Sequence, residues 1–563
     1  MYIKQLRVSG FKKFSHLEVD FSTGINVIVG DNDSGKSTIL EAIVAVLNGQ
    51  YRGVPLSRSL SEDLFNAEHV SRYLNTLNSK KQCEPPEILI EIVFGGEEDE
   101  DAIALFEGDA SSKGTKESGI SLKIALDYDS FAEEYQEFID SGEYYGLPIE
   151  YYVCSWTTFA RKSIRPAAIK FSAALLGAGN SLGWTNPKAV VSRIARDVLD
   201  PNDQIAVSQV HRRMRKAFSS DEVVSQINQK ISEKTHSLTR KAVTFGFEAG
   251  TVNSWENGIV TKLEDIPFSN VGDGTKSIVG TDLALSKSKD RGKDVILLEE
   301  PENHLSHTKL NMLLDDVRER CDGMQLIVTT HSSFVANKLD LRNLILLNGD
   351  SSVKLSSLQD STWRFFMKAP GYKTLRVLLC EAAILVEGDA DELVVQRAYR
   401  DKHNGKLPIY DGIDVISVGT SFLRFMEIAK AVKKNVIAVT DNDGDIGALK
   451  KKYENYPFVT SEAAGDAQQV VSYADRLLSR GEDPDVQYNT LEPEIYESAG
   501  VQTLGKILGR DMSDRDRALK HMENNKTDVA LAIFDAEDCI QYPEYITRAI
   551  EWAYSKVKAG KNV

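Results

Sequence analysis

The sequence lacks the features that mark membrane and secreted proteins. Its 563 residues contain no apolar run of about 18 residues, the length that a membrane-spanning helix needs, so no membrane span is expected. The first six residues have no long apolar stretch of the secretory type, and we interpret them as a β-strand. The chain is too long for one hydrophobic core, which predicts about three domains.

Cysteine is scarce and widely scattered. An odd number of cysteines without zinc-ligand spacing excludes a disulfide framework and a zinc module, and it favours a reduced cytoplasmic location. The five cysteines are Cys83, Cys154, Cys321, Cys380 and Cys539.

Positive charge is also in deficit. Lysine and arginine number 67 against 83 aspartates and glutamates, a net charge of −16, which disfavours nucleic acid as a partner because phosphates attract cations. Two local basic clusters oppose this, and each is either a solvated helix face or a DNA-facing patch. The clusters are Arg161, Lys162, Arg165 and Lys170, then Arg212, Arg213, Arg215 and Lys216.

A phosphate-binding loop lies near the start of the chain. Residues 30–37 read GDNDSGKS, between an apolar strand at 25–29 and an apolar helix at 37–47. In this strand–loop–helix context, backbone N–H groups surround phosphates, so an ATP site is expected. Lys36 is predicted to reach the β- and γ-phosphates, and Ser37 to ligate Mg²⁺. The predicted nucleotide-binding residues of the loop are Asn32, Gly35, Lys36, Ser37 and Thr38.

A second strand supplies the expected catalytic partners of this loop. Residues 295–298 are apolar and end in Glu299 and Glu300. Glu299 is predicted to hold Mg²⁺, directly or through water, although aspartate is the usual residue there. Glu300 is predicted to orient or deprotonate the attacking water. His331 follows the apolar strand 326–330, where a γ-phosphate sensor would lie.

Acidic residues also follow two apolar strands in the second half. Glu387 comes after 383–386, and Asp441 and Asp443 come after 436–440. An alternation of strands and helices over 381–445 predicts a parallel sheet, whose strand ends share one edge. Oxygen ligands suit Mg²⁺ or Mn²⁺, and a pair of such ions activates water against a phosphodiester.

The first half resembles ABC-type ATPases, in the branch that contains the SMC and recombination-repair proteins. Residues 6–14 resemble the opening of that branch, and 272–277 resemble its signature motif, with Gly272 and Gly274 as the surviving glycine pair. In this class the signature of one subunit closes on the ATP of another. The resemblance therefore implies a homodimer or higher homo-oligomer.

The acidic pattern of the second half is that of the TOPRIM fold, and its combination with an ABC-type ATPase resembles the OLD (overcoming lysogenization defect) family. A topoisomerase tyrosine or a primase zinc module is not marked in the sequence, which leaves a nuclease. From the family segments the resemblance implies Asp391 and Glu492 as further metal ligands and Lys526 near the scissile phosphate. Thr420 replaces a family glycine, and the Gly and Phe expected after Lys526 are absent.

The expected fold is α/β. The predicted parts are an N-terminal ABC/SMC-type P-loop ATPase at 1–154 and 251–376, a mainly helical insertion at 155–250 that is a candidate for dimer contacts, and a TOPRIM Rossmann-like parallel α/β domain with a helical elaboration at 377–563.

The expected function is an ATP-regulated, metal-dependent DNA endonuclease or nickase. Its catalytic residues would be Glu300, His331, Glu387, Asp441 and Lys526, and its metal ligands Glu387, Asp391, Asp441, Asp443 and Glu492, with Ser37 and Glu299 at the ATPase. The family resemblance implies anti-phage defence, alone or beside a partner such as a retron. Two alternatives remain: a DNA-binding ATPase clamp with a non-catalytic TOPRIM domain, and an effector that cleaves RNA or tRNA.

Overall fold

The structure is a computed structural model that divides the chain into two compact units. One unit comprises Met1–Asn26, Gly35–Thr330 and Gly349–Ser351, and the other comprises Val27–Ser34, His331–Asn348 and Ser352–Val563. The residues that the structure describes are 1–30, 32–79, 81, 83–96, 105–142, 144–169, 171–177, 200–235, 262–291, 295–320, 323–339, 341–354, 359, 361–362, 364–365, 372–460, 464–476 and 490–561.

The regular elements are numbered in chain order. The strands are β1 (Tyr2–Phe11), β2 (Phe14–Asp20), β3 (Ile25–Val29), β4 (Gln50–Tyr51), β5 (Val54–Pro55), β6 (Ile88–Gly95), β7 (Glu107–Gly108), β8 (Glu117–Leu126), β9 (Tyr152–Thr158), β10 (Ala173–Gly177), β11 (Lys262–Leu263), β12 (Ile266–Pro267), β13 (Val295–Glu299), β14 (Gln325–Thr330), β15 (Leu344–Asn348), β16 (Ser351–Lys354), β17 (Ala382–Val386), β18 (Ile413–Ser417), β19 (Asn435–Thr440) and β20 (Gln469–Tyr473).

The helices are α1 (Lys36–Asn48), α2 (Ala67–Asn78), α3 (Tyr128–Ser141), α4 (Pro201–Ser219), α5 (Glu222–Thr235), α6 (Asp273–Arg291), α7 (His307–Arg320), α8 (Ser333–Lys338), α9 (Tyr372–Leu379), α10 (Asp389–Lys402), α11 (Phe422–Ala431), α12 (Ile446–Lys452), α13 (Leu491–Ala499), α14 (Val501–Leu508), α15 (Arg515–Asn524), α16 (Lys526–Asp535) and α17 (Glu544–Lys561).

An antiparallel sheet forms much of the first unit. Its strand order is β2-β1-β6-β8-β7, and β9 pairs with β8. Leu6 of β1 lies opposite Ile92 of β6, and both side chains are fully buried. Burial of a leucine or isoleucine side chain stabilises a fold by about 1.5–3 kcal/mol, so such pairs fix the register of this sheet.

Parallel strands position the predicted catalytic acids of the ATPase. In the first unit β10 pairs with β13, and β13 pairs with β14, all in parallel. In the second unit β3 pairs in parallel with β15. The continuous apolar runs of β13 and β14 are buried, as expected of parallel strands covered on both faces. Glu299 is the last residue of β13, and His331 directly follows β14.

A second, wholly parallel sheet carries the acidic residues of the C-terminal half. Its order is β18-β17-β19-β20. Val386 at the end of β17 pairs with Ser417 of β18, and Thr440 at the end of β19 pairs with Tyr473 of β20. The carboxyl ends of all four strands therefore form one edge, which we call the acidic edge because Glu387 and Asp441 follow its two central strands.

Helices from the end of the chain pack onto this sheet. The buried Arg397 of α10 donates hydrogen bonds to backbone carbonyls at and just beyond the end of α16, among them those of Ile533 and Phe534, at 3.0 Å each. These bonds satisfy carbonyls that a helix end leaves free, and they fix α16 beside α10. Both helices begin near the acidic edge, α10 with Asp391 in its first turn and α16 with Lys526.

The predicted helical insertion proves to be mixed in the part that the structure describes. Residues 155–250 include the end of β9 and the short strand β10 before α4 and α5 begin, while 178–199 and 236–261 lie outside the described residues. Five residues of β10 are too few to show a strand period in the sequence. Among the described helices, none combines the length and apolarity needed to cross a bilayer.

Candidate functional sites

The phosphate loop has the predicted geometry around its glycines. Gly35 adopts a left-handed backbone with φ of 98°, immediately before α1, and a Cβ there would lie 2.3 Å from the ring of Phe14. Only glycine meets both conditions, so Phe14 and Gly35 together set the entry to the helix. Asp31 of the same loop lies outside the described residues.

The side chains of the loop fit a bound phosphate. Lys36 is 5% exposed, and the buried Ser34 hydroxyl has no hydrogen-bond partner among the described residues. A buried hydroxyl without a partner is costly, and an anion in the glycine cradle would satisfy it. Thr38 is buried in the first turn of α1, whereas Asn32 is exposed in the loop. The loop residues therefore fit the nucleotide that the sequence predicts.

Glu299 lies against Ser37, as the sequence predicts for a shared magnesium ion. Burial raises the pKa of Glu299 above its ordinary value, the hydrogen bond from Ser37 opposes this, and the charges of Glu300 and Glu41 raise the pKa further. Lys12 lowers it. The Ser37 hydroxyl and the Glu299 carboxylate are both oxygen donors, which suits Mg²⁺.

The remaining residues predicted for ATP hydrolysis occupy distinct positions. Glu300 has a positive φ of 41° and accepts a hydrogen bond from the Asn303 amide at 2.8 Å. His331 is exposed at the end of β14. Sequence reasoning missed Lys12 and Glu41, which pair with each other and both influence Glu299. Lys12 lies within residues 6–14, which resemble the opening of the SMC and recombination-repair branch, but that resemblance assigned it no role, and no motif marks Glu41.

The predicted signature glycines begin a long helix. Gly272 precedes α6, and Gly274 lies in its first turn. A Cβ on Gly274 would lie 2.3 Å from the backbone oxygen of His304, whereas a Cβ on Gly272 would meet nothing within 4 Å. Gly274 is therefore required by close packing within the first unit. Gly272 faces open space, which suits contact with another molecule.

The acidic edge gathers the five carboxylates that the sequence predicts. The pKa of Asp441 is raised well above its ordinary value. Burial is the largest cause, and the charge of Asp391, which acts in the same direction, is the next. The further charges that act on Asp441 are those of Glu492, Glu387 and Asp443.

Asp391 is fixed by the start of α10. Its carboxylate accepts a hydrogen bond from the Gly388 N–H at 2.9 Å. Burial chiefly, together with the charges of Glu492 and Glu387, raises the pKa of Asp391 to about 6, although the Gly388 bond opposes the rise. Asp391 is thus pre-positioned beside other negative charges, with Lys526 as a nearby cation.

Glu492 and Lys526 form an ion pair at this edge. The Lys526 ammonium lies 3.0 Å from the buried Glu492 carboxylate, which also accepts a hydrogen bond from Thr490 at 2.6 Å. Burial lowers the pKa of Lys526, but the hydrogen bond and charge of Glu492 and the charges of Asp391 and Asp441 outweigh it, so the pKa is raised. Lys526 therefore remains a cation beside the carboxylates.

The donor set of the acidic edge fits Mg²⁺ or Mn²⁺. All donors are carboxylate oxygens, and burial together with neighbouring negative charge raises the pKa values of Asp391 and Asp441, a cost that bound cations would relieve. No three acidic, histidine or cysteine side chains in the described ranges converge closely enough to hold an ion without rearrangement. Asp445 instead caps α12, accepting from the Ala448 N–H at 2.8 Å.

Tyr545 is a component of the acidic edge that sequence reasoning missed. The hydroxyl of this buried residue of α17 lies 3.5 Å from a carboxylate oxygen of Asp441. Burial first, then the charges of Asp441 and Asp391, raise the pKa of Tyr545 well above its ordinary value, so it is a neutral donor. More than 100 residues separate the two, and no local pattern marks the tyrosine.

The basic clusters are accounted for in part. Arg161 pairs with Asp109 at 2.5 Å, and Lys170 lies outside the described residues. Arg212, Arg213 and Lys216 are exposed on α4. The structure thus leaves these three side chains of the second cluster exposed, and both interpretations of the cluster stand.

Comparison with known families confirms the domain combination. Residues 5–162 match an AAA domain, and 158–337 match the model described as "AAA domain, putative AbiEii toxin, Type IV TA system". Residues 378–443 match the "Overcoming lysogenization defect protein-like, TOPRIM domain". The protein is therefore of the class in which an ATPase region is followed by a TOPRIM domain. That TOPRIM domain is of the OLD-like type, as the acidic pattern predicted.

Curated relatives resemble only short parts of the chain. The "DNA replication and repair protein RecF" of Clostridium botulinum (strain Eklund 17B / Type B) is 31% identical over 84 residues, which are 15% of this chain and 22% of that protein. The "DNA double-strand break repair Rad50 ATPase" of Archaeoglobus fulgidus is 45% identical over 47 residues, 8% of this chain and 5% of that protein. The chain thus matches about a fifth or less of these two relatives' lengths.

Two solved structures are similar over longer stretches but at low scores. An SMC head bound to the C-winged helix domain of ScpA has a TM-score of 0.33 and 16% identity, covering 63% of this chain and 99% of that chain. The C-terminal region of the Xanthomonas campestris pv. campestris OLD protein has a TM-score of 0.24 and 20% identity, covering 33% of this chain and 98% of that chain.

Proposed function

We propose that the protein is an ATP-regulated DNA endonuclease or nickase that depends on divalent metal ions. The observation that carries the proposal is the cluster of carboxylates at the carboxyl edge of a parallel sheet, whose charges act on one another and outnumber the cation Lys526 beside them. These carboxylates are Glu387, Asp391, Asp441, Asp443 and Glu492.

The proposed chemistry is hydrolysis of a phosphodiester. Two Mg²⁺ or Mn²⁺ ions held by these carboxylates would supply an activated water and would stabilise the leaving oxygen. The chain's own residues orient this site: Gly388 holds Asp391, and Tyr545 donates towards Asp441. Lys526, 3.0 Å from Glu492, offsets the negative charge that builds on the phosphate during the reaction.

The proposed regulation acts through the ATPase. Lys36, Ser37 and Glu299 would bind ATP with its Mg²⁺, while Glu300 would orient the water and His331 would sense the γ-phosphate. ATP binding supplies energy for a switch only if two states bind it unequally. We infer that the two states differ in whether Gly272 and Gly274 of a second copy close on the nucleotide.

A homodimer is part of the proposal, and α4 supports it. Three of its apolar side chains, Val210, Met214 and Phe218, are 47%, 64% and 36% exposed. Their spacing of four residues places them on one helix face, and such an exposed stripe is typical of a surface that pairs with another molecule. A role in phage defence, with or without a partner such as a retron, rests on the family resemblance.

One observation favours the alternative of an ATPase clamp with an inert TOPRIM domain. No three candidate ligands in the described part of the chain converge on one point. Against it, Asp391 and Asp441 are partly buried beside other carboxylates, at an energetic cost that an inert domain would not need to retain. The third candidate, an RNA- or tRNA-cleaving effector, shares the chemistry and differs only in substrate.

The decisive experiment is a nicking assay on supercoiled plasmid with Mn²⁺, with and without ATP. We expect Glu387→Gln and Asp441→Asn to lose activity by about 100-fold or more, because each removes a metal ligand. Asp466→Asn is the matched control, since Asp466 is exposed just before β20, at the opposite edge of the sheet. Lys36→Ala should retain the metal site but lose the response to ATP.

Three outcomes would contradict this proposal. Equal cutting by Asp441→Asn and the parent protein would remove the acidic edge from the reaction. Binding of DNA without any metal-dependent cutting would favour the clamp. Preferential cleavage of RNA over the plasmid would favour the third candidate.

A further inference from the structure

The acidic edge presents an electrostatic difficulty for its proposed substrate. The chain carries a net charge of −16, and a DNA strand brings one more negative charge with each phosphate. Lys526 is already paired with Glu492. Strand binding beside the carboxylates therefore requires further cations close to the same edge.

Helix α12 supplies such cations at the right place. It follows the Asp441–Asp445 loop directly, and its last three residues are the exposed Lys450, Lys451 and Lys452. None of these lysines forms an ion pair with an acid of the described residues. Lysines complement the dipole at a helix C-terminus by about 0.3–1 kcal/mol, but this effect does not explain where their ammonium groups lie.

Lys450 is held at the carboxyl edge by an aromatic ring. Its ammonium lies 5.9 Å from the centroid of the Tyr473 ring. Tyr473 ends β20 and pairs in register with Thr440, the residue before Asp441. The cation–π contact therefore places Lys450 beside the strand end that carries this partly buried aspartate.

Lys452 is held by a second ring. Its ammonium lies 5.2 Å from the centroid of the Tyr453 ring. Tyr453 is itself fully buried in the turn directly after α12, so the ring beneath Lys452 is fixed by packing. Residues two apart do not share a helix face, and the two lysines thus flank the end of α12 from different sides.

We propose that Lys450 and Lys452 bind the phosphodiester backbone of the DNA strand that enters the acidic edge. The identification of DNA as the occupant rests on the proposed function. The two lysines attract its negatively charged phosphates, which the five carboxylates of the same edge repel. The two lysines guide the strand and do not take part in bond cleavage. Aromatic seating restricts their side chains, so less side-chain entropy is lost when a phosphate binds.

The test uses the full-length chain carrying Asp441→Asn, so that binding is measured without cutting. Lys450→Gln/Lys452→Gln is compared with the matched control Lys406→Gln/Lys430→Gln, whose lysines are exposed at the opposite end of the sheet. Fluorescence anisotropy with a 30-base-pair DNA duplex is recorded over a salt series. Loss of two phosphate contacts should reduce the log–log salt slope by about 1.8 and weaken binding roughly tenfold, with the control unchanged.

Activity provides a second measurement that separates this inference from the nuclease proposal. In the cutting-competent protein, Lys450→Gln/Lys452→Gln should raise KM for plasmid roughly tenfold and change kcat less than about twofold. Failure of the parent to cut would overturn the nuclease proposal but leave the binding test intact. The inference itself is overturned if both double variants bind DNA like the parent, if the parent binds no DNA, or if only RNA binding responds.

Discussion

At the scale of single residues, Asp441 is the most informative side chain of the acidic edge. Four other carboxylates act on it, and it is partly buried directly after β19. A buried carboxylate among like charges destabilises a fold unless a cation or a proton neutralises it. Asp441 therefore links the stability of the domain to its proposed chemistry.

The first prediction concerns Asp441→Asn in metal-free protein. Removing one negative charge should stabilise the domain by about 1–2 kcal/mol in EDTA, because repulsion among the carboxylates falls. Mn²⁺ should raise the melting temperature of the parent but have little effect on the variant. Asp466→Asn should behave like the parent. Destabilisation by Asp441→Asn without metal would show that the carboxylate is already compensated.

The pH dependence of the same effect has a defined sign. The pKa of Asp391 is raised in the folded protein to about 6, so the folded state binds more protons than the unfolded state between roughly pH 4 and 6. Stability of the metal-free domain should therefore rise as the pH falls through this range. Asp391→Asn should flatten this rise in thermal unfolding scans of the metal-free protein.

A second residue-scale prediction concerns Tyr545→Phe. The variant keeps the ring but removes the hydroxyl that faces Asp441 at 3.5 Å, so plasmid nicking should fall about three- to tenfold through kcat. The matched control is Tyr542→Phe, whose hydroxyl instead donates to Asp401 at 2.6 Å. Equal losses of nicking activity in the two variants would show that the effect comes from destabilised packing around these tyrosines and not from the hydroxyl that faces Asp441.

At the scale of elements, two glycines at the start of α6 have different predicted roles: one is needed for packing and the other for the ATPase. Gly274 abuts the backbone of His304, and Gly272 faces open space. Gly274→Ala should therefore destabilise the first unit by about 1–3 kcal/mol in thermal unfolding. Gly272→Ala should leave stability unchanged within about 0.5 kcal/mol yet lower ATPase activity if this turn contacts a partner's nucleotide. Normal ATPase activity in Gly272→Ala would remove Gly272 from the ATPase site.

The elements also show what a sequence predicts well. The phosphate loop was predicted because Gly35 and Lys36 belong to a long motif between a clear strand and a clear helix. The parallel sheet of the acidic edge was predicted because Glu387 and Asp441 follow buried apolar runs. Strand β10 was missed, since its five residues resemble any short apolar segment.

Other site residues could not be predicted because tertiary packing alone brings them in. Tyr545 reaches Asp441 from α17, and the rings beneath Lys450 and Lys452 come from β20 and the turn after α12. None of these positions has a characteristic spacing. The roles of individual site residues remain predictions, as do the domain boundaries.

At the scale of the whole molecule, the proposal requires two copies of the chain. Met214→Asp would place a charge in the exposed apolar stripe of α4, and we expect it to shift the protein from dimer towards monomer in light scattering. ATPase activity should fall with it, because each nucleotide would lose its partner's glycines. Arg212→Asp, on another face of α4, is the matched control. A dimeric Met214→Asp variant would exclude this stripe as the interface.

The acidic edge collects its side chains from Glu387 through Tyr545, a span of the chain that ribosomes must translate in order. A nascent polypeptide that has reached β19 already carries Glu387 and Asp391, but it lacks Lys526 and the tyrosine that faces Asp441. Fragments left by stalled translation would therefore lack a complete cutting centre. For a chain proposed to cleave DNA, the cutting centre would therefore be complete only once α17 has been made.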